Sequence, residues 1–160
     1  MTNPIRFYSK TPAYREFSNF APFGFEADGV YWSTVEHYFQ AQKFPGAENT
    51  AYREKIRSAK SPKEAKALGR TRSIVIRSDW EEVKDRIMLA ALRKKFAARE
   101  LRELLLTTGD RPLVEASPFD SYWGCGRSGT GKNRLGALLM QVRAELKETT
   151  AADHRPVQQA

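Results

Sequence analysis

Cysteine occurs once, at position 125, in a chain of 160 residues, and histidine only twice. One thiol cannot form an intrachain disulfide. One thiol and two imidazoles do not fill the four-ligand shell of a structural zinc site, so no metal is expected. Long apolar runs are also missing. The opening "MTNPIRFYSK" has nothing like the core of a signal peptide, and no later stretch is apolar enough to cross a bilayer. The expected address is the cytoplasm, with no membrane partner. Acidic residues are in deficit, 19 against 27 Lys and Arg, which leaves a net charge of +8. That balance favours an anionic partner (phosphate, nucleotide or nucleic acid), or else a basic surface that serves solubility. No internal repeat or long linker interrupts the chain, and its length suits one domain with a sizeable core.

What is present reads as a helix-rich α+β domain with a small antiparallel sheet near the N-terminus. "IRFYS", "FGFEA" and "VYW" suit short strands, with Asp28–Gly29 as a hairpin turn. Ser33 or Thr34 can cap a helix through "VEHYFQAQKF". "AENTAYREKIRSA" suits a second helix. "SPKEAKALGR" carries a complete set of helix punctuation: Ser61 as cap, Pro62 in first position, Glu64 three residues after the cap and Gly69 at the close. A longer helix is expected from "SDWEEVKDRIMLAALRKKFAA", with Ser78 or Asp79 as cap, continuing helically through "RELRELLLTTG". "PLVEAS" suits a strand. In "NRLGALLMQVRAELK" the residues Leu135, Leu138, Leu139, Val142 and Leu146 form one apolar stripe. The polar stretch 148–160 is expected to be a disordered tail beyond a domain at 1–147.

The segment "GRSGTGKN" matches G-x-x-x-x-G-K at Gly126, Gly131 and Lys132, but it does not suit a nucleotide-hydrolysing loop. Asn133 stands where a hydroxyl should meet magnesium, no buried strand precedes it, and too little chain follows to build a doubly wound sheet. Its glycines, with Gly124, let backbone approach a ligand, and free N–H groups where the loop opens a helix near Asn133 would suit a phosphate. A plain flexible loop is the other reading.

Three stretches can carry chemistry. At helical spacing Glu36, Gln40 and Lys43 share one stripe, flanked by Phe39 and Phe44. This is either a cleft lined by Glu36 or a solvated face with a first-turn acid. His37 points elsewhere. In "FDSYWG", Asp120 lies among rings and Trp123 offers a flat face for a base or sugar, or the pair is an Asx-turn beside a core tryptophan. In "FSNF", Asn19 sits beside Phe20, where an amide can meet a ribose or base edge, or simply close a turn. Arg70 and Arg72 suit phosphate or solvent, and Trp80 suits packing.

Taken in order, "FSNF", "STVEHYFQAQKF", "SPKEAKALGR", "LRKKF", "LVEASPFDSYWGCG" and "GKNRLGALLMQVR" resemble the NADAR, or YbiA-like, family over roughly Phe7 to Leu146. The resemblance implies an N-glycosidase that cuts a ribose C1′–N bond without a cofactor. Its substrate would be a phosphorylated nucleoside-like molecule: an early riboflavin-pathway intermediate, releasing ribose 5-phosphate, or ADP-ribosylated guanine, including guanine in DNA. Glu36 is then the expected base or electrostatic partner of the cationic sugar, and Asp120 a second carboxylate for ribose hydroxyls or base departure. Lys43 would orient Glu36 or hold phosphate, Trp123 would stack on the base, and Asn19, Phe20, Phe39, Gly124 and Asn133 would complete the substrate contacts. The alternatives are a module that binds ADP-ribose or NAD without cutting it, or a DNA-binding protein, for which no helix-turn-helix or zinc-finger signature is present.

Overall fold

The computed structural model describes residues 3–154 and 156. The α+β class and the predominance of helix are as expected from the sequence. The chain divides into two compact units, Phe7–Lys95 and Met1–Arg6 with Phe96–Ala160.

The Phe7–Lys95 unit begins with a hairpin of strands β2 (Phe25–Ala27) and β3 (Val30–Trp32), paired antiparallel with Phe25 opposite Trp32. Asp28 and Gly29 turn it with φ of 54° and 77°, the left-handed pair that a tight two-residue hairpin requires. Phe25 and Trp32 face inward, and each ring meets Tyr38 at a centroid distance of 5.5 Å. Tyr38 belongs to helix α1 (Val35–Ala41), which Thr34 caps by accepting the His37 N–H at 3.2 Å. Every residue of α1 is buried. It packs against β3, α2 (Thr50–Arg57), α3 (Pro62–Gly69) and α4 (Trp80–Lys95).

The helix punctuation reads through to the structure. Ser61 accepts the Glu64 N–H at 3.1 Å, and the Glu64 carboxylate accepts the N–H of Lys60, the residue before the cap, at 3.0 Å. Ahead of α4 the Asp79 carboxylate pairs with Arg77, and the Asp79 carbonyl accepts from Val83 at 3.1 Å, the first backbone bond of the helix. Some boundaries differ from expectation. α1 stops at Ala41, and Phe44 closes a turn onto the Ala41 carbonyl at 3.1 Å. The stretch expected to continue the long helix forms a separate one, α5 (Arg99–Thr107).

In the other unit, strand β1 (Ile5–Phe7) enters through Ile5 and Arg6 to pair with β4 (Leu113–Glu115) as a parallel pair. The Ile5 N–H donates to the Pro112 carbonyl at 2.7 Å. Helix α6 (Arg134–Asp153) buries Leu135, Leu138, Leu139 and Val142 of the expected stripe and half-buries Leu146. Arg143 donates to the Thr108 hydroxyl and the Arg111 carbonyl, and Lys147 to the Gly109 carbonyl, so α6 cations close the C-terminal end of α5. α6 continues to Asp153, so 148–153 is helix, a correction to a tail starting at Glu148. Its last polar residues extend a helix whose apolar stripe is already anchored upstream. Residues 155 and 157–160 of that expected tail lie outside the described residues.

Candidate active site

A helix buried all round is normally apolar all round. α1 is not: Glu36, His37 and Gln40 are 7%, 2% and 4% exposed. Each must recover the hydrogen bonds it loses with water. His37 does so structurally. Its Nε2 faces the Ala59 carbonyl at 3.0 Å, to which it can donate, and its Nδ1 faces the Thr34 hydroxyl at 2.7 Å. Glu36 and Gln40 meet each other, the Gln40 Nε2 donating to Glu36 Oε1 at 2.7 Å. The reading of Glu36 as part of a solvated face is therefore excluded.

Around this pair the unit gathers several of the expected residues. The Asn19 carbonyl accepts the Glu36 N–H at 3.1 Å, which ties the "FSNF" loop to the first turn of α1. The Asn19 side chain reaches only the Met88 sulfur, at 3.5 Å, and its buried Oδ1 has no donor among the described residues. Phe39 lies against Trp80 with ring centroids 4.9 Å apart, and Lys43 Nζ sits 5.7 Å from the Trp80 centroid while donating to the Gly69 carbonyl at 3.3 Å. Phe20 lies under Lys66, 5.9 Å from its ring centroid. Burial holds the Lys43 ammonium below its ordinary range. Glu36 and Glu81 oppose this, whereas Arg70 and Lys66 push the same way as burial. Lys66 and Arg70 are thus close enough to Lys43 to disfavour its charge, an effect that an anion would relieve.

The other unit holds the remaining expected residues. Asp120 Oδ1 accepts the Tyr122 and Trp123 N–H groups at 2.9 and 2.8 Å, so the Asx-turn is real. It presents a half-buried Trp123 edge-on to Tyr122, with centroids 4.9 Å apart. Gly124 is packed so tightly that a Cβ would fall 3.0 Å from the Asp120 carbonyl oxygen. Asn133 carries φ of 50° and bridges β4 with its side chain, accepting from the Glu115 N–H and donating to the Leu113 carbonyl, both at 2.9 Å. The expectation of free N–H groups at the start of α6 is not met. The amides of Lys132, Asn133, Arg134 and Leu135 donate to the carbonyls of Ser121, Gly124, Tyr122 and Trp123 at 2.8–3.0 Å. The glycines thus serve to fold the loop back on the Trp123 turn.

Two contributors were legible only in part. Gln40 stood on the Glu36 stripe, and the four-residue spacing was the signal for their contact. Trp80 was read as packing, and nothing in the sequence pairs it with Phe39 and Lys43.

One unit thus holds a carboxylate buried against an amide, the Phe39–Trp80 ring contact, and Lys43 with Lys66 and Arg70 near enough to act on its charge. A sequence profile of the NADAR domain matches residues 6–147. The chain is 51% identical over 143 residues to the N-glycosidase YbiA of Escherichia coli, covering 89% of this chain and 88% of that one. It is 44% identical over 164 residues to the "Riboflavin biosynthesis protein PYRR, chloroplastic" of Zea mays, covering 94% of this chain and 26% of that one. The NMR structure of E. coli YbiA superposes with a TM-score of 0.85 at 46% identity, covering 99% of this chain and 94% of that one. The chain belongs to the NADAR family. Close relatives are N-glycosidases, hydrolases acting on N-glycosyl bonds, and it is an enzyme of that class.

Proposed function

We propose that this N-glycosidase hydrolyses the ribose C1′–N bond of a phosphorylated N-riboside, with Glu36 as the carboxylate that serves the reaction. As the bond to nitrogen breaks, its electron pair leaves with the base and the ribose ring gains positive charge. The Glu36 carboxylate stabilises that charge and takes a proton from the water that bonds to C1′, and that proton passes to the departing nitrogen, which restores the carboxylate. Lys43, Lys66 and Arg70 bind the phosphate. The orphaned Asn19 Oδ1 accepts from a ribose hydroxyl, and Phe20 and Phe39 limit access of water, which strengthens the charge effects. The Asp120–Trp123 turn is a separate proposed contact, with Trp123 stacking on a base.

The observation that carries the reading is the burial of Glu36 against Gln40, with Lys43 acting on it, inside a helix that has no packing need for a carboxylate. A module that only bound an anion would gain nothing from it. The name of the maize relative supports a riboflavin-pathway pyrimidine riboside as substrate. The test is parallel incubation with that riboside and with ADP-ribosylated guanosine, with products identified by mass. Release of ribose 5-phosphate from the first is expected, and release of ADP-ribose from the second would assign the larger substrate. Binding of either without release would replace the proposal with a sensor.

A further inference from the structure

α3 ends on a glycine whose side-chain position is already occupied. A Cβ built on Gly69 would lie 1.9 Å from Gln40 Oε1 and 2.7 Å from its carboxamide carbon. Gly69 is outside the left-handed region, so backbone freedom is not what this position requires. It requires that no side chain be there. The Gln40 oxygen occupies the space and rests against the Gly69 Cα, with no hydrogen-bond donor among the described residues. The same residue's carbonyl accepts from Lys43 Nζ at 3.3 Å. One residue of α3 thus seats the amide that holds Glu36 and anchors the nearest cation.

An amide has two unlike ends, and only one can face a carboxylate. With Nε2 on Glu36 Oε1 at 2.7 Å, the contact is a charge-assisted hydrogen bond. Turned over, it would set oxygen against oxygen. The seat at Gly69 accepts the oxygen end because a Cα–H there makes at most a weak contact and demands no acceptor. A larger residue at 69 would push the whole amide toward Glu36, and the i, i+4 geometry of α1 leaves it no other place inside the unit.

We propose that Gln40 and Gly69 are positioning residues of this enzyme, a two-part device that fixes the Glu36 carboxylate for attack on the sugar. The proposal rests on the reading of Glu36 given above. Neither residue meets substrate, so each acts on turnover and not on affinity. Displacing a reacting group by about 1 Å costs on the order of 100-fold in rate.

The test compares Gln40→Leu, which keeps the volume and loses the amide, with Gly69→Ala, which keeps the amide and fills its seat. Each should lower kcat by about 10- to 100-fold with KM nearly unchanged. In a Glu36→Gln background neither should lower kcat further, because both act through Glu36. Should Gly69→Ala fail to fold, Gln40→Leu carries the same comparison. A second readout needs no turnover: one side-chain amide proton of Gln40 should resonate downfield in the parent protein and move upfield in Glu36→Gln as the charge-assisted bond is lost. Losses that add in the double variant, or a Gln40 amide signal indifferent to Glu36→Gln, would overturn the proposal. A parent protein that cuts neither riboside would sink the reading of function instead, and the amide signal would still decide the device.

Discussion

Replacing Lys95 with methionine should stabilise the protein at acid pH and lose that advantage at alkaline pH, so that the two stability curves converge. Lys95 closes α4 at 1% exposure, and its Nζ donates to the Ser18 carbonyl at 3.0 Å. Burial pushes the ammonium from its ordinary 10.5 down to about 7, with Glu16 pulling the other way. A displacement of about 3.5 pH units corresponds to about 5 kcal/mol of penalty for holding the charge inside. Below pH 7 both folded and unfolded chains are protonated at this site, and the native state bears the full penalty. Between about 7 and 10.5 the unfolded chain holds a proton that the native chain has shed, so stability rises with pH at up to ~1.4 kcal/mol per unit. Above 10.5 the penalty is gone. Methionine removes it at every pH with little change in volume, and the Ser18 carbonyl loses its lysine donor but keeps the Ala21 N–H at 3.1 Å, a loss of about 0.5–1.5 kcal/mol. The expected result is a variant more stable by about 3–4 kcal/mol at pH 6 and within about 1 kcal/mol of the parent at pH 10, where about 0.8 kcal/mol of the penalty remains. Urea unfolding followed by tryptophan fluorescence, repeated from pH 6 to 10 on both proteins, measures the difference directly, and all other titrating groups cancel. Parallel curves across that range would refute the reasoning, since Lys95 would then hold the same proton in both states.

Glu36→Gln should keep its melting temperature within a few degrees of the parent and lose at least about 100-fold in kcat, read in the riboside assay. Thr34→Ala removes both the α1 cap and a partner of buried His37, and should cost about 1–2 kcal/mol in thermal unfolding. Asn133→Gly should destabilise through loss of the two bonds to β4, and Asn133→Ala by about 1 kcal/mol more, because position 133 has left-handed φ; equal melting temperatures would contradict this. Trp123→Ala should raise KM for the riboside several-fold without changing the melting temperature by more than a few degrees; an unchanged KM would remove its ring from substrate binding.

Local chemistry settled what the sequence alone could settle. The Asp28–Gly29 turn, the Ser61–Pro62–Glu64 start of α3 and the Leu135–Val142 stripe of α6 each depend on residues a few positions apart, and all stand as read. So does the Asp120 turn, one of two readings left open. The family could also be read from the ordered blocks, because they span nearly the whole chain. What no local pattern could decide was which polar residues go inside. Glu36 on a seven-residue helix reads the same buried or exposed until α2, α3 and α4 close over it. Lys95 sits in a charged "RKKF" run that gives no sign of its burial, and Gly69 reads as an ordinary helix stop until Gln40 arrives from another helix. Burial and long-range contact are properties of the packed chain: they set the desolvation, the shifted lysines and the seat for the amide, and only the tertiary structure supplies them.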